Sequence, residues 1–205
     1  MVVKSGLREQ LVVCAMELLM EGGIEAVGLR AVTRRAGVSH GAPRRYFPTL
    51  ESLLSEVAAR GFGELAQQIG QVDDTLPVDR QLERIARIYT DFGIRRRSLF
   101  ELMFRHDLLE GSGNDLRDHS RPLFALLVGM LRDAEDPQSA AIELWTNLHG
   151  LATLAGTRAL DIVAEGVDTD RVAARIVATH LAGITARGTS ARNSTSTTKS
   201  PSSGP

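Results

Sequence analysis

Apolar residues recur along this chain at a spacing of about 3.6 residues, which places them on one face of an α-helix. A clear example is the series Leu82, Ile85, Ala86, Tyr89 and Phe92. No stretch shows the alternation of apolar and polar residues that is typical of a half-buried β-strand. The chain is therefore predicted to be all-α, with about nine helices and no strands.

Prolines and a change in composition divide the helical segments. A helix over residues 5–21 and two short helices are expected before Pro48, six further helices are expected after it, and from Thr189 onward serine and threonine dominate. Such a segment cannot bury enough apolar surface to offset the entropy of ordering it. We expect a small helical domain over residues 1–49, a larger helical domain over 50–187 and a disordered tail over 188–205.

Positive charge is concentrated in one stretch, from Leu29 to Pro48. It contains no acidic residue, although the whole chain has a formal net charge of −1. An ordinary solvated face could carry such a run of charge, but a single basic segment in a slightly acidic chain is also typical of contact with a polyanion. The arginines of this segment are Arg30, Arg34, Arg35, Arg44 and Arg45.

The same stretch has the pattern of a helix, a tight turn and a second helix. Helices are expected over residues 29–36 and 40–47, and Gly37 supplies the left-handed conformation that the turn needs. With Val32 and Ala36 inside, the remaining residues face outward, and a helix led by small residues can enter a major groove, where arginine binds guanine edges or phosphates. The outward set is Arg30, Thr33, His40, Gly41, Ala42, Arg44 and Arg45.

The motif Leu29-Arg-Ala-Val-Thr-Arg-Arg-Ala-Gly-Val-Ser39, with Tyr46-Phe47 and the long helix that follows, resembles the DNA-binding domain of the TetR regulators over about residues 7–65. Two positions depart from the family pattern: Arg44 replaces a usual tyrosine, and Leu50 replaces a usual lysine. The resemblance implies base contact by Arg30, groove contact by His40, Gly41, Ala42 and Arg45, and backbone contact by Thr33, Ser39 and Tyr46. Arg44 could restore a charge near the phosphate that the lysine would meet.

The C-terminal half resembles more weakly the TetR ligand domain named for a Trp-His-Gly pattern, through Trp145, His149 and Gly150 and through the segment 99–104. Aromatic residues at helical spacing have two interpretations, which the sequence leaves open. They line a pocket for a small, largely apolar effector, or they form plain core with His149 hydrogen-bonded inside. The candidate pocket residues are Tyr89, Phe92, Phe100, Met103, Phe104, Trp145 and His149.

Helices over residues 137–164 and 168–186 are the expected dimer surface. The first carries a strip of small residues at Ala152, Ala155, Gly156 and Ala159, and the second an apolar stripe at Val172, Ile176, Val177, Leu181 and Ile184. Both helices could instead pack within their own subunit. The homodimer is favoured because one short helix contacts too few base pairs to be selective.

These features predict a sequence-specific DNA-binding transcriptional regulator: a ligand-responsive, homodimeric repressor whose partners are a double-stranded DNA operator and a small apolar effector. No catalytic or metal-ligand spacing is apparent and no cofactor is expected. The longest apolar stretch is too short for a membrane span, no signal peptide is evident, and the single cysteine, Cys14, fits a cytoplasmic setting. The alternatives are a helical carrier or enzyme with a vestigial DNA-binding module, and a helical interaction protein.

Overall fold

A computed structural model of the chain describes residues 6–39, 41, 43–112 and 114–195, with side chains described as far as Ala186. Ten α-helices and two turns of 3-10 helix make up this part, and no strand occurs among its residues, so the all-α prediction is confirmed. The α-helices are α1 Leu7–Gly22, α2 Leu29–Ala36, α3 Leu50–Ile69, α4 Val78–Arg95, α5 Arg97–Met103, α6 His106–Leu109, α7 Arg117–Met130, α8 Pro137–Gly156, α9 Ala159–Val163 and α10 Thr169–Thr195.

Two helices that the sequence predicts as continuous are broken in the structure. The segment 98–109 divides into α5 and α6, and the segment 137–164 divides into α8 and α9. At the second break Arg158 adopts a left-handed backbone conformation with a φ of 61°. In the opposite direction, α10 continues nine residues past its predicted end at Ala186, so helix includes residues 188–195 of the expected tail. Residues 196–205 lie outside the described residues.

Side chains that precede the helices explain where several of them begin. Thr49 accepts a hydrogen bond from the Ser52 N–H, and the Ser52 side chain accepts one in return from the Thr49 N–H, which is a capping box at the start of α3. Asp136 accepts hydrogen bonds from the first turn of α8, where Pro137 needs no N–H partner. Pro122 lies inside α7, five residues after its start, and not in its first turn.

The C-terminal helices pack tightly around α4, which lies against α8 and α10. A Cβ added at Gly93 of α4 would lie 2.9 Å from the Cβ of Ala152, and one added at Gly156 would lie 3.0 Å from the Gly93 carbonyl oxygen. The small residues of α8 therefore bring α8 and α4 together within one subunit. The expectation that Ala152 and Gly156 face a second subunit is wrong, because both residues contact α4 of their own subunit.

Candidate nucleic-acid interface and ligand site

The turn after α2 has the geometry that its glycine predicts. Gly37 has a φ of 66° and a ψ of 32°, and its N–H donates to the carbonyl of Arg34. The Val38 N–H then donates to the carbonyl of Thr33. These two bonds satisfy carbonyls at the end of α2 and turn the chain sharply toward the segment that follows.

The second helix of the motif is shorter than predicted. A helix over 40–47 is expected from the sequence, whereas the described residues there form one turn of 3-10 helix, Pro43–Arg45. Pro43 has no N–H to donate to a preceding turn, and Gly41 lies in a turn and not in a helix. Tyr46 and Phe47 both donate their N–H groups to the Pro43 carbonyl. His40 and Ala42 lie outside the described residues.

The arginines of the acid-free stretch are exposed around this turn. Arg30, Arg34, Arg44 and Arg45 are exposed, and none of the four has an ion pair with another described residue. Arg35 differs, because its guanidinium lies 2.6 Å from a carboxylate oxygen of Glu21 on α1. Four guanidinium groups of this stretch thus lack a carboxylate partner within the described residues.

The other predicted contact residues divide between exposed and buried. Ser39 and Gly41 are exposed, and Tyr46 is 44% exposed. Thr33 is only 1% exposed and its hydroxyl donates to the Arg30 carbonyl. The prediction that Thr33 faces outward is wrong, since it belongs to the same buried face of α2 as Val32.

Polar contacts connect the turn to the larger group of helices. Arg8 of α1 binds both carboxylate oxygens of Glu56 on α3, at 3.0 and 2.6 Å, and its guanidinium lies 5.3 Å from the centre of the Phe47 ring. Asn114, between α6 and α7, donates to the same carboxylate at 3.0 Å. Burial opposes the charged form of Glu56, but hydrogen bonds from Arg8 and Asn114 prevail and lower its pKa.

A cavity of about 290 Å³ lies between α3, α4, α7 and α8. Its wall is almost entirely apolar. Tyr89 and Trp145 line it and are hydrogen-bonded to each other. The other polar lining residues are His106, Ser120 and Arg121. The apolar wall consists of Phe62, Leu65, Ile69, Leu82, Ile85, Ala86, Phe104, Leu123, Phe124, Leu126, Leu127, Met130, Leu144 and Leu148. A small apolar molecule would fit this space.

The predicted aromatic set contributes only in part to this cavity. Tyr89, Phe104 and Trp145 line it. Phe92, Phe100 and Met103 are buried, His149 is half-buried, and none of the four lines the cavity. Three members of the aromatic set therefore line a cavity, and the other four lie outside its wall.

Sequence reasoning missed the walls that α3 and α7 provide. No residue of α7 is fully buried, although Leu123, Phe124, Leu127 and Met130 of this helix are apolar. The sequence feature that indicates the α7 wall is the longest apolar stretch of the chain, Phe124–Leu131, which is too short to span a membrane. An amphipathic helix whose apolar face is incompletely covered is the pattern that a cavity wall produces.

Tyr89 is the centre of a polar network at the cavity wall. The indole N–H of Trp145 donates to the Tyr89 hydroxyl at 2.8 Å, and that hydroxyl lies 2.8 Å from Nδ1 of His149. Burial raises the pKa of Tyr89 and lowers the pKa of His149. The neutral imidazole can then accept a hydrogen bond from the Tyr89 hydroxyl at Nδ1. His149 is also stacked on the Phe100 ring, 5.0 Å between centroids.

The outer faces of α8 to α10 expose apolar side chains. Leu154 of α8 is 47% exposed, and Ile162 and Val163 of α9 are 86% and 77% exposed. Val177 of α10 is buried against its own chain, whereas Val172, Ile176, Leu181 and Ile184 are half-buried. An open groove between α8 and α10 is lined partly by Val172, Ile176 and Ile184.

The part of the chain that the structure describes contains no group of three or more His, Cys, Asp or Glu residues that could hold a metal ion. None of its helices combines the length and the apolar character that crossing a bilayer requires.

Two family models match this chain. The model described as "Bacterial regulatory proteins, tetR family" matches residues 11–57, which include most of α1, the Gly37 turn and the start of α3. The model described as "Tetracyclin repressor-like, C-terminal domain" matches residues 82–180, which include the cavity walls from α4, α7 and α8. Together they match more than two thirds of the chain. No curated protein matches the chain.

Solved structures share the fold over nearly their whole length. A protein of unknown function from Rhodococcus sp. RHA1 is 26% identical with a TM-score of 0.76, and the match covers 88% of this chain and 96% of that one. A transcriptional regulator from the same organism is 20% identical with a TM-score of 0.69, over 86% and 97% of the two chains. A TetR-like transcriptional regulator, also from that organism, is 17% identical with a TM-score of 0.68, over 89% and 100%.

Proposed function

Because this chain belongs to the TetR family and is a DNA-binding transcriptional regulator, we propose that it is a homodimeric repressor released from its operator by a small molecule. Regulators of this family bind DNA operators, form dimers and bind small-molecule effectors. The observation that carries operator binding is the group of exposed arginines around the Gly37 turn, which have no ion-pair partner among the described residues.

Operator contact is assigned to both sides of this turn. Arg30 and Arg45 contact base edges, with Gly41 and the undescribed His40 and Ala42 in the groove, while Ser39 and Tyr46 contact the phosphate backbone. Arg44 supplies a phosphate contact near the start of α3, where Leu50 offers none. The exposure of the described members of this set supports these roles, and the burial of Thr33 removes it from the set.

The dimer is proposed to form through α8 and α10 of each subunit, in a four-helix arrangement. Exposed apolar side chains on these helices and on α9 support this face, because a dimer would remove them from water. The half-buried residues of α10 and the groove beside α8 provide room for helices of a second copy. Two recognition segments would then face one side of the duplex, about 34–36 Å apart.

The switch is proposed to run from the cavity to the turn through α3. This helix lines the cavity with Phe62 and Leu65 and holds Glu56, which connects to the α6–α7 loop through Asn114 and to the DNA-binding module through Arg8. A molecule that displaces α7 would shift this loop and, with it, Arg8 against Phe47. Coupling between such sites is commonly worth ~1–3 kcal/mol.

Catalysis is not part of the proposal. Regulators of this family are in general non-enzymatic, and the polar groups of the cavity wall are engaged with one another or lie at its exposed side. A helical carrier with a vestigial DNA-binding module would not prefer any DNA sequence, so selection of duplexes distinguishes it from a regulator.

Selection of bound duplexes from a random pool tests the proposal. The full chain should enrich inverted repeats whose half-sites lie about one helical turn apart. Arg45→Ala should lose the enrichment, whereas Arg84→Ala, an exposed arginine of α4 distant in sequence from the turn, should keep it. A pool that remains unselected, or an enrichment that Arg45→Ala does not change, would contradict operator recognition by this turn.

Sedimentation tests the assembly separately. Leu154→Glu places a charge on the proposed dimer face and should shift the protein toward a monomer. Val78→Glu, at a side chain of similar exposure on α4, should leave the dimer intact. Equal behaviour of the two variants would place the interface elsewhere.

A further inference from the structure

The cavity has an unequal distribution of polar groups, which carries information on what it binds. Its deep wall, from α3, α4 and α8, is apolar and mostly buried. Its polar side chains besides the bonded Tyr89 and Trp145 come from α6 and α7, where His106 and Arg121 are exposed and Ser120 is half-buried. No acidic residue lines the space. A molecule inside would therefore have an apolar body and a polar end directed toward α7.

The charge at this polar end is positive. Arg121 has no ion pair with any described residue, whereas the neighbouring arginines are neutralised: Arg117 lies 3.2 Å from Glu110, and Arg105 lies 2.9 Å from Asp107. An arginine at the rim of an apolar space can bind a carboxylate through two hydrogen bonds. A cationic head group would meet this guanidinium with no carboxylate among the lining residues to offset it.

We propose that the effector is an apolar molecule carrying a single carboxylate, whose head group is bound by Arg121 at the α7 side of the cavity while its body fills the space between α3, α4 and α8. This proposal rests on the proposed function only in taking the cavity as the effector site. Ser120 supplies a hydroxyl donor beside the arginine. Arg121 is the specificity-determining residue, because the apolar wall accepts any hydrophobic body of suitable size.

Three molecules with the same tail and different heads test the proposal: decanoate and decyltrimethylammonium, each below its micelle concentration, and decanol below its solubility limit. Trp145 is the only tryptophan of the chain and lines the cavity, so its emission reports binding, and calorimetry gives the dissociation constants. Decanoate should bind about tenfold or more tightly than decanol, and the cation most weakly. Shortening the acid by one methylene should weaken binding about fourfold.

Variants assign the preference to one side chain. Arg121→Ala should bring decanoate to the affinity of decanol and leave decanol unchanged, and Arg121→Lys should keep most of the preference. The matched control is Arg132→Ala, at an exposed arginine just beyond α7 that does not line the cavity. Decanol or the cation binding as tightly as decanoate would overturn the proposal, and so would a preference that survives Arg121→Ala.

The outcomes separate this proposal from the proposed function. If none of the three molecules binds, the carboxylate proposal fails, whereas operator recognition and dimer formation are decided separately by duplex selection and sedimentation. If the neutral or cationic molecule binds best, the effector site stands and the carboxylate class is wrong. If decanoate binds with the expected preference yet leaves operator affinity unchanged, the head-group assignment stands and the switching part of the proposed function falls.

Discussion

Replacing Tyr89 by phenylalanine removes one oxygen atom and should still destabilise the protein measurably. That oxygen accepts the indole N–H of Trp145 and lies in hydrogen-bond contact with Nδ1 of His149. A buried polar group that loses its partner costs ~1–3 kcal/mol. Both partners are half-buried, so water can compensate in part, and we expect a loss of about 2 kcal/mol in the free energy of unfolding.

The chain has two tyrosines, and the second one, Tyr46, is the matched control. Tyr46 is 44% exposed, and the same substitution there should change stability by less than about 0.5 kcal/mol. Urea unfolding followed by circular dichroism, at one fixed protomer concentration, measures both variants. A loss of about 2 kcal/mol corresponds to roughly 4–8 °C in Tm for a chain of this size.

A double-mutant cycle identifies the origin of the loss. In a Trp145→Phe background the indole donor is already absent, so Tyr89→Phe should cost less than in the parent chain. The reasoning would be refuted if Tyr89→Phe were as harmless as Tyr46→Phe, or if its cost were the same in both backgrounds.

The remaining predictions concern pH, helix packing and capping. Burial lowers the pKa of His149 in the folded protein. The contribution of this residue to stability is therefore complete above the unfolded pKa of about 6.5 and is lost as pH falls through the lower folded pKa. The free energy of unfolding should decline between pH 7.5 and about 5, and His149→Gln should flatten that decline. In urea unfolding, Gly93→Ala should be less stable than Gly63→Ala by about 1–3 kcal/mol. Both variants gain helix propensity, but only Gly93→Ala places a Cβ against Ala152. Equal stabilities would contradict the close contact between α4 and α8. Asp136→Ala should lose ~1 kcal/mol through the cap of α8, and Asp136→Asn much less, by the same assay.

Local chemistry explains what the sequence predicted correctly. A left-handed turn after a short helix favours glycine, and Gly37 has that conformation. Thr49 and Pro137 mark helix starts for reasons that depend only on neighbouring residues. The sequence also predicts that Arg30 is exposed, because Val32 and Ala36 define the apolar face of the same helix, and Arg30 is exposed in the structure.

What could not be predicted depends on how helices are rotated against one another. A strip of small residues on α8 indicates close approach to some helix, but the sequence does not say whether that helix is α4 or belongs to a second subunit. The aromatic rings share this ambiguity, because Phe104 lines the cavity whereas Phe100 is buried behind it. Thr33 was placed outside because a two-turn helix has too few residues to define its buried face.

The most direct test of the central claim is the salt dependence of duplex binding, measured by fluorescence anisotropy with a selected operator and a scrambled duplex of the same composition. Exposed arginines around the Gly37 turn should give an operator affinity at least ~1,000-fold above that of the scrambled duplex, and a steep fall with salt. Arg44→Ala should reduce the slope of log K against log salt by about 1.8, because the dimer loses one phosphate contact in each subunit and each contact is worth about 0.9. Equal affinity for the two duplexes, or a slope that Arg44→Ala leaves unchanged, would contradict the account.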